Sequence, residues 1–513
     1  MIDPRWCTAE HWNRIGPGPH KGVALPLSAI HTQWSGGIGE FGDLIPLVHY
    51  LREVGMGILQ LLPLNESGID PSPYNALSSC ALNPLYLSLH QLQGIDQLMD
   101  IEGRLARLRQ LCRYDRTNYR LVAIKKEQIL WDYYRWIAPT LSRHGAFQHF
   151  MEREKDWLAP YALFKALWEH HGKPSWQEWP HEDRYPHSMD SYTDFAREKR
   201  SYFSFLQFLA FEQMEKARQV AEREGILIKG DLPILLSRES ADVWWDRENF
   251  ILDWEAGSPP SRRRPEGQHW GFPIYSWEGM EANDFSWWRC RLRLAERFYH
   301  LYRIDHIAGL FRIWAIAHGE SPRSGRYLPG DEEEATRRGR KLLRRLIEAS
   351  PLLPIGEDLG VFPHSLRPIM AEYGVCGTKV TRWERESLAH FPFLSLATPS
   401  NHDVEMITGW WASSSQEVKK IAQEKGWDPR HPLPREAILN LLRETYRSGS
   451  AFRIAFLQEI LALTPSLTWD NPNDERINTP GTFNCQNWTY RYRYPLEKLF
   501  ASKELQQAFK EMM

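Results

Sequence analysis

The sequence predicts an α/β protein in which parallel strands form a barrel, and two observations favour this fold. Short apolar runs alternate with helix-patterned stretches such as 202–224 over much of the 513 residues, which is typical of a parallel α/β architecture. Three of the apolar runs end at an acidic residue, at intervals of roughly 50 residues: Asp305, Glu357 and Asp403. Barrel sites are assembled at the C-terminal ends of strands, so acids in this setting predict one shared site.

The apolar runs define the individual elements of the barrel. The segments predicted as strands are 22–25, 57–62, 226–232, 302–306, 353–358, 378–382, 394–401 and 476–478. Residues 90–200 are patterned as a mostly helical inserted subdomain, and residues 412–467 as a helical insert before the last strand. The whole chain, 1–513, is expected to form a single catalytic barrel with these insertions.

Composition excludes several classes of function. A formal net charge of −2 gives no electrostatic reason to expect a nucleic-acid or anionic membrane partner. We find neither a signal peptide at the start of the chain nor an apolar stretch long enough to span a bilayer. The six scattered cysteines form no Cys-x-x-Cys pair, which predicts reduced thiols in a cytoplasmic protein. The 23 tryptophans favour a carbohydrate site, because flat aromatic faces stack on sugar rings.

The first acid, Asp305, has a basic neighbour two residues away. In a strand, Arg303 and Asp305 project to the same face. A cation this close lowers the pKa of a carboxyl group and keeps it ionised, which suits a nucleophile attacking an anomeric carbon. A purely structural Arg–Asp ion pair is the alternative.

The second and third acids differ from the first in their surroundings. Glu357 follows an apolar run and precedes Asp358; both features should raise its pKa, as a general acid requires. A strand-end cap is the alternative interpretation. Asp403 follows Asn401 and His402, where a third carboxylate could bind two sugar hydroxyls. Zinc is not expected there, since no further ligand stands at metal spacing.

These segments resemble those of the amylomaltases, the 4-α-glucanotransferases of the α-amylase clan. The similarity lies in Arg-Ile-Asp-His (303–306), Gly-Glu-Asp-Leu-Gly (356–360) and His-Asp (402–403). It extends through 36–44, 60–64, Ser-Pro-Tyr-Asn (72–75), Asn-Pro (83–84), Gly-Asp-Leu-Pro-Ile (230–234), 240–244, 267–271, Pro-Gly-Thr (480–482) and Asn-Trp (487–488). These motifs span nearly the whole chain.

The resemblance implies a (β/α)8 TIM barrel with inserted subdomains and without a C-terminal β domain. It implies that Asp305 is the nucleophile, Glu357 the general acid/base and Asp403 the transition-state stabiliser. Tyr74 would stack on the donor glucose, and Asp231 would support the site. The other substrate-binding residues that it implies are Arg303, His306, His402, Trp270 and Asn401.

The implied activity is transfer of α-1,4-glucan segments through a covalent glucosyl-enzyme, with retention of configuration. Donor and acceptor would be α-1,4-glucans or malto-oligosaccharides, and the chemistry requires no cofactor or metal. The oligomeric state is not predicted. One departure from the family is the loop 262–264, Arg-Arg-Arg, where relatives usually present an acidic and aromatic pair near the acceptor sugar. This departure leaves an α-amylase-like retaining hydrolase as an alternative. The second alternative is a catalytically inactive glucan-binding protein on the same scaffold, against which the presence of all three acids argues.

Overall fold

The computed structural model describes residues 2–186, 188–261, 264–384 and 387–513, and within these ranges twelve strands form two sheets. The strands are β1 (His20–Leu25), β2 (Ile58–Leu61), β3 (Leu227–Leu232), β4 (Phe250–Ser258), β5 (Gln268–Tyr275), β6 (Leu301–Ile304), β7 (Ile313–Ala317), β8 (Arg326–Leu328), β9 (Leu353–Gly356), β10 (Gly377–Val380), β11 (Ser395–Thr398) and β12 (Phe452–Phe456).

Eight of these strands form the barrel. They are all parallel, in the order β10, β11, β12, β1, β2, β3, β6 and β9. The barrel closes between β9 and the start of β10, where the Gly356 N–H donates to the Cys376 carbonyl at 2.8 Å and Ile355 bridges to Cys376. The expected (β/α)8 barrel is thereby confirmed, and the C-terminal ends of its strands share one face.

The eighth barrel strand lies elsewhere than the sequence predicted. It is β12, which pairs with β1 and β11, whereas residues 476–478 form no strand. The stretch 412–467 is therefore not a helical insert before the last strand, because it contains that strand. Four of the five residues of β12 are buried, but the short helix Leu457–Leu461 follows directly, so the apolar run was assigned to a helical pattern.

Nineteen α-helices lie within the described residues, and none of them is long and apolar enough to cross a membrane. They are α1 (Ala9–Ile15), α2 (Leu44–Glu53), α3 (Ile101–Arg109), α4 (Tyr119–Leu141), α5 (Gly145–Arg153), α6 (Lys155–His170), α7 (His181–Arg184), α8 (Arg197–Arg223), α9 (Ala241–Trp245), α10 (Trp277–Ala282), α11 (Ser286–Glu296), α12 (Glu332–Glu348), α13 (Leu366–Tyr373), α14 (Ile407–Ala412), α15 (Gln416–Lys425), α16 (Arg435–Tyr446), α17 (Leu457–Leu461), α18 (Leu496–Phe500) and α19 (Lys503–Met512).

The long connection from β2 to β3 carries helices α3 to α8. Helices α3 to α7 lie within the stretch 90–200; whether that stretch forms a subdomain of its own stays a prediction. Helix α8 has 27 residues and buries a broad apolar face from Tyr202 to Phe211. Residues 457–513, all of them described, form helices and loops without a further strand.

The second sheet was not predicted. Strands β5, β4, β7 and β8 form an antiparallel sheet in that order. The hairpin of β4 and β5 follows β3 in the chain, and β7 and β8 follow β6. All four strands therefore extend from C-terminal ends of barrel strands, at the face where a barrel site is expected.

A buried ion pair fastens α4 to the barrel. Lys126 is fully buried and its ammonium bonds to Glu40, which lies in the loop after β1. The same ammonium donates to the carbonyl oxygens of Leu85 (2.7 Å) and Leu87 (2.8 Å). Burial raises the pKa of Glu40 to about 7, although the Lys126 charge opposes this shift. Because this region is closed to water, removing either partner would leave the charge of the other without compensation.

We expect Lys126→Met to lower the free energy of unfolding by about 3–5 kcal/mol, because it leaves Glu40 buried without its cation. Urea unfolding monitored by tryptophan fluorescence would measure the loss. Replacing the neighbouring, half-buried Lys125 by Met is the matched control and should change stability by less than about 0.5 kcal/mol. Adding Glu40→Gln to Lys126→Met should restore part of the loss; equal stability of the Lys126 and Lys125 variants would contradict the assignment.

Candidate active site

Asp305 lies immediately beyond the C-terminal end of β6. Its N–H donates to the Leu232 carbonyl at 3.2 Å, which holds it beside the end of β3. One carboxylate oxygen lies 3.0 Å from Arg303 Nη1, and the other accepts from the Ile234 N–H at 3.4 Å. The expectation that Arg303 and Asp305 share a face of the strand is therefore confirmed.

Arg303 is the centre of the charged network. Its Nη1 donates to Asp231 Oδ1 at 2.8 Å and Oδ2 at 3.0 Å, and its Nη2 lies 3.6 Å from Glu357 Oε2. Burial alone would lower the pKa of Arg303, but the surrounding acids, Asp231 foremost, outweigh burial and raise it well above its ordinary value. The guanidinium therefore stays charged and orients three carboxyl groups around it.

Glu357 follows β9 and faces the same centre. Its backbone N–H donates to the Ile304 carbonyl at 3.0 Å, and its Oε2 accepts the His306 N–H at 2.8 Å. Burial raises the pKa of Glu357 to about 8; the charges of Asp305 and Asp403 act in the same direction, while Arg303 opposes them. A carboxyl group in this setting can hold a proton at neutral pH.

Asp358 does not supply the charge that the sequence predicted to raise the pKa of Glu357. Its carboxylate accepts the Thr378 N–H at 2.7 Å and pairs with Arg367 Nε at 2.6 Å. The neighbouring charges that raise the pKa of Glu357 are those of Asp305 and Asp403 instead. Asp358 fixes the start of β10 against the end of β9.

Asp403 is the most exposed of the three acids, with 41% of its side chain accessible. Its Oδ1 accepts from Asn478 Nδ2 at 2.7 Å, and its Oδ2 lies 3.6 Å from His402 Nε2. The Asn401 side chain accepts the Asp403 N–H at 3.0 Å and so shapes the turn. Arg476 donates to the Asp403 carbonyl at 3.2 Å.

Aromatic rings line two sides of the cluster of acids. The Tyr74 ring stacks on the His402 ring with centroids 5.1 Å apart, and the Trp488 ring lies 5.4 Å and 5.5 Å from these two. The Tyr74 hydroxyl donates to Asp231 Oδ2 at 2.8 Å. Trp270, on β5, meets the His306 ring edge-on at 5.0 Å. Such faces suit a ligand with flat apolar surfaces, as sugar rings have.

The structure brings all the residues singled out from the sequence into one connected cluster. They are Tyr74, Asp231, Trp270, Arg303, Asp305, His306, Glu357, Asn401, His402 and Asp403. Arg476, Asn478 and Trp488 also contact the cluster and were not named as site residues. Trp488 lay in a motif shared with the family, whereas residues 476–478 had been assigned to a strand.

Arg262 and Arg263 lie outside the described residues. Arg264 is half-buried and its Nη1 donates to the Pro480 carbonyl at 2.8 Å. Arg264 therefore lies against Pro480, close in sequence to Asn478.

Comparison with known proteins gives consistent results. The protein family described as 4-alpha-glucanotransferase matches residues 25–497. A 4-alpha-glucanotransferase of Chlamydia pneumoniae is 39% identical, covering 97% of this chain and 96% of the relative, and one of Synechocystis is 31% identical, covering 92% and 93%.

Solved structures agree with the sequence comparisons. The amylomaltase from Streptococcus agalactiae in complex with acarbose has a TM-score of 0.80 at 25% identity, covering 96% of this chain and 98% of that one. The amylomaltase from Corynebacterium glutamicum shares the fold, with a TM-score of 0.81 at 21% identity, covering 98% and 76%. The match over most of the chain, together with the close relatives, shows that the chain belongs to the 4-alpha-glucanotransferase family of retaining transglycosylases.

Proposed function

We propose that this chain transfers α-1,4-glucan segments from a malto-oligosaccharide donor to an acceptor glucan by double displacement. The observation that carries the proposal is that two neighbouring carboxyl groups have different surroundings. Asp305 lies 3.0 Å from the Arg303 guanidinium, whereas burial raises the pKa of Glu357 to about 8. A carboxyl group beside a guanidinium, placed to act as nucleophile, and a buried carboxyl group that can hold a proton are the pair that retaining glycoside chemistry requires.

In the first half-reaction, Asp305 attacks the anomeric carbon at the scissile bond. Glu357, protonated, gives its proton to the glycosidic oxygen, so the departing chain leaves as a neutral alcohol. The bond from the sugar to the departing oxygen breaks as the bond to Asp305 forms. The product is a β-linked glucosyl-enzyme, and Glu357 is left as a carboxylate.

In the second half-reaction, the 4-hydroxyl of an acceptor glucan enters from the side that the departing chain left. Glu357 takes its proton, the new glycosidic bond forms, and the bond to Asp305 breaks with overall retention. Both half-reactions need Glu357 within reach of one position, which the departing oxygen occupies in the first and the acceptor oxygen in the second. The His306 N–H at 2.8 Å from Glu357 Oε2 supports this role, because it fixes the direction of the carboxyl group.

The remaining cluster is proposed to hold the donor sugar. Asp403, presented by Asn478 and beside His402, is placed to bind ring hydroxyls and favour an oxocarbenium-like shape. Tyr74 offers a ring face, with its hydroxyl tied to Asp231. Trp270 and Asn401 support the site through His306 and the Asp403 turn. We place the enzyme in the cytoplasm, which its six free cysteines favour.

Incubation of the pure protein with maltotriose tests the proposal. We expect glucose together with a ladder of longer malto-oligosaccharides, resolved by anion-exchange chromatography. Shortening to glucose and maltose without longer products would instead identify a hydrolase. If wild type and Asp305→Asn bound glucan equally and neither turned it over, the protein would be a glucan-binding protein without catalytic activity.

A further inference from the structure

The segment 476–478 supplies a partner to the acids of the barrel mouth without belonging to a sheet. Its Asn478 side chain donates to Asp403 Oδ1 at 2.7 Å, and the Asn478 N–H donates to the His402 carbonyl at 3.1 Å. Both 476–478 and 402–405, the stretch that follows β11, lie within the described residues, and no β ladder joins them. The position of Asp403 relative to Asn478 therefore depends on side-chain contacts.

The Arg476 guanidinium connects these two stretches through three acceptors. Its Nη2 donates to the Asp403 carbonyl at 3.2 Å, and its Nε donates to the Asn478 carbonyl at 2.8 Å. Its Nη1 pairs with the Glu405 carboxylate. Because the N–H groups of a guanidinium are held in one plane, the three contacts together fix both the distance and the angle between the two stretches.

We propose that Arg476 is a positioning residue for donor cleavage, which holds Asp403 and Asn478 together in the geometry that the transition state needs. This role rests on the function proposed above, in which Asp403 stabilises that state. Asp403 depends on such support, since 41% of its side chain is accessible and His402 Nε2 lies 3.6 Å from its Oδ2. Among the described residues, Asn478 is the side chain that donates a hydrogen bond to the Asp403 carboxylate, so a displacement of Asn478 reaches Asp403 directly.

Arg476 and its partner Glu405 are themselves fixed from two other parts of the molecule. Arg116, in the connection from β2 to β3, donates from Nη2 to the Asp474 carbonyl at 2.9 Å and from Nη1 to the Arg476 carbonyl at 3.5 Å. Arg382, which follows β10, donates to the Glu405 carbonyl at 2.8 Å. Arg476 is thereby ordered before a glucan binds, as a residue that supports a catalytic group has to be.

Fluoride release from α-maltosyl fluoride tests the role, because a transferase and a retaining hydrolase both form the glucosyl-enzyme. We expect the rate of the fluoride burst to fall about 10²-fold in Arg476→Met, since a displacement of about 1 Å at a reacting centre costs that much. Maltotriose affinity, measured by calorimetry, should change less than about threefold. Arg476→Lys should stay within about threefold of the Met variant, because an ammonium does not offer the planar fork of donors. The Lys variant keeps the charge and decides the question even if Arg476→Met fails to fold.

Arg493→Met is the matched control. The Arg493 side chain is 28% exposed, against 24% for Arg476, and it likewise bonds a carbonyl, that of Thr468 at 2.8 Å, and a carboxylate, that of Asp470 at 2.7 Å. Its contacts within the described residues reach none of the site residues. Arg493→Met should therefore lower the urea midpoint about as much as Arg476→Met but leave the burst rate unchanged. In Arg476→Ala, guanidinium chloride at about 20 mM should raise the burst rate at least about fivefold, whereas the same concentration of NaCl should not.

The outcomes separate this role from the function on which it rests. Equal burst rates for the Arg476 and Arg493 variants would overturn the positioning role and leave the proposed function intact. So would a slower burst in the Arg476 variants that comes with an equal loss of maltotriose affinity and no response to guanidinium, because Arg476 would then be structural only. A wild-type protein with neither a fluoride burst nor products from maltotriose would overturn the proposed function, and the positioning role with it.

Discussion

Asp305→Asn is expected to lower kcat/KM for maltotriose disproportionation by at least about 10⁴-fold, because the amide cannot form the glucosyl-enzyme. The substitution keeps the shape of the side chain, so the contacts of Arg303 with Asp231 and Glu357 should survive. Binding of maltotriose, measured by calorimetry, should change far less than turnover. Initial rates of glucose release would give the ratio.

Asp96→Asn, at an exposed carboxylate outside the cluster, is the control and should retain wild-type rates. Azide offers a sharper test. With Asp305→Gly and α-maltosyl fluoride as donor, azide should enter from the face of the missing carboxylate and give the β-azide, with inversion. Residual transfer within about tenfold of wild type for Asp305→Asn would rule out its role as nucleophile.

Glu357→Gln is expected to lower kcat/KM on maltotriose by about 10³-fold or more, since the leaving chain then departs without a proton. The donor α-maltosyl fluoride separates the possible causes, because fluoride leaves readily without protonation. Formation of the glucosyl-enzyme from this donor should be far less affected than cleavage of maltotriose. Glu53→Gln, on the exposed surface of α2, is the matched control. Equal losses with both donors would indicate damage to the site rather than loss of the acid.

The pH dependence follows from the same group. Burial raises the pKa of Glu357 to about 8, and its protonated form is the active one in donor cleavage. On the alkaline side, kcat/KM for maltotriose should therefore be level below pH 8 and fall about tenfold per pH unit above it. The alkaline limb should be absent when glucosyl-enzyme formation is measured with α-maltosyl fluoride. A decrease in this rate above pH 8 that persists with that donor would be caused by the titration of another group.

The sequence predicted the barrel and its central cluster because Asp305 and Glu357 stand directly after short apolar runs and Asp403 follows another within five residues. Asp305 and Glu357 were thus assigned to strand ends, and β6 and β9 end at Ile304 and Gly356. Side chains two residues apart in a strand project to the same face, so the contact between Arg303 and Asp305 follows from strand geometry alone. Roles within the cluster stay proposals that rest on this geometry and on the family.

What the sequence could not predict depends on contacts between distant segments. β12 was missed because its five residues have no acid at their end and lead straight into α17. The antiparallel sheet was missed because β4 and β5 carry a register shift and mixed polar residues, which weaken alternation. Asn478 could not be recognised as a partner of Asp403, since 75 residues separate them. The pairing exists only once β12 has completed the barrel.

The position of β12 has a consequence for synthesis of the protein on the ribosome. The barrel cannot close until Phe456 has emerged, because β12 joins β1, the first strand made, to β11. Asn478 and Trp488 emerge later still, and without them Asp403 lacks its hydrogen bond from Asn478 and Tyr74 lacks its ring contact with Trp488. The nascent chain therefore has no complete glucan site until Trp488 has left the ribosome. Chains released before Trp488 should be folded in part but unable to act on glucan.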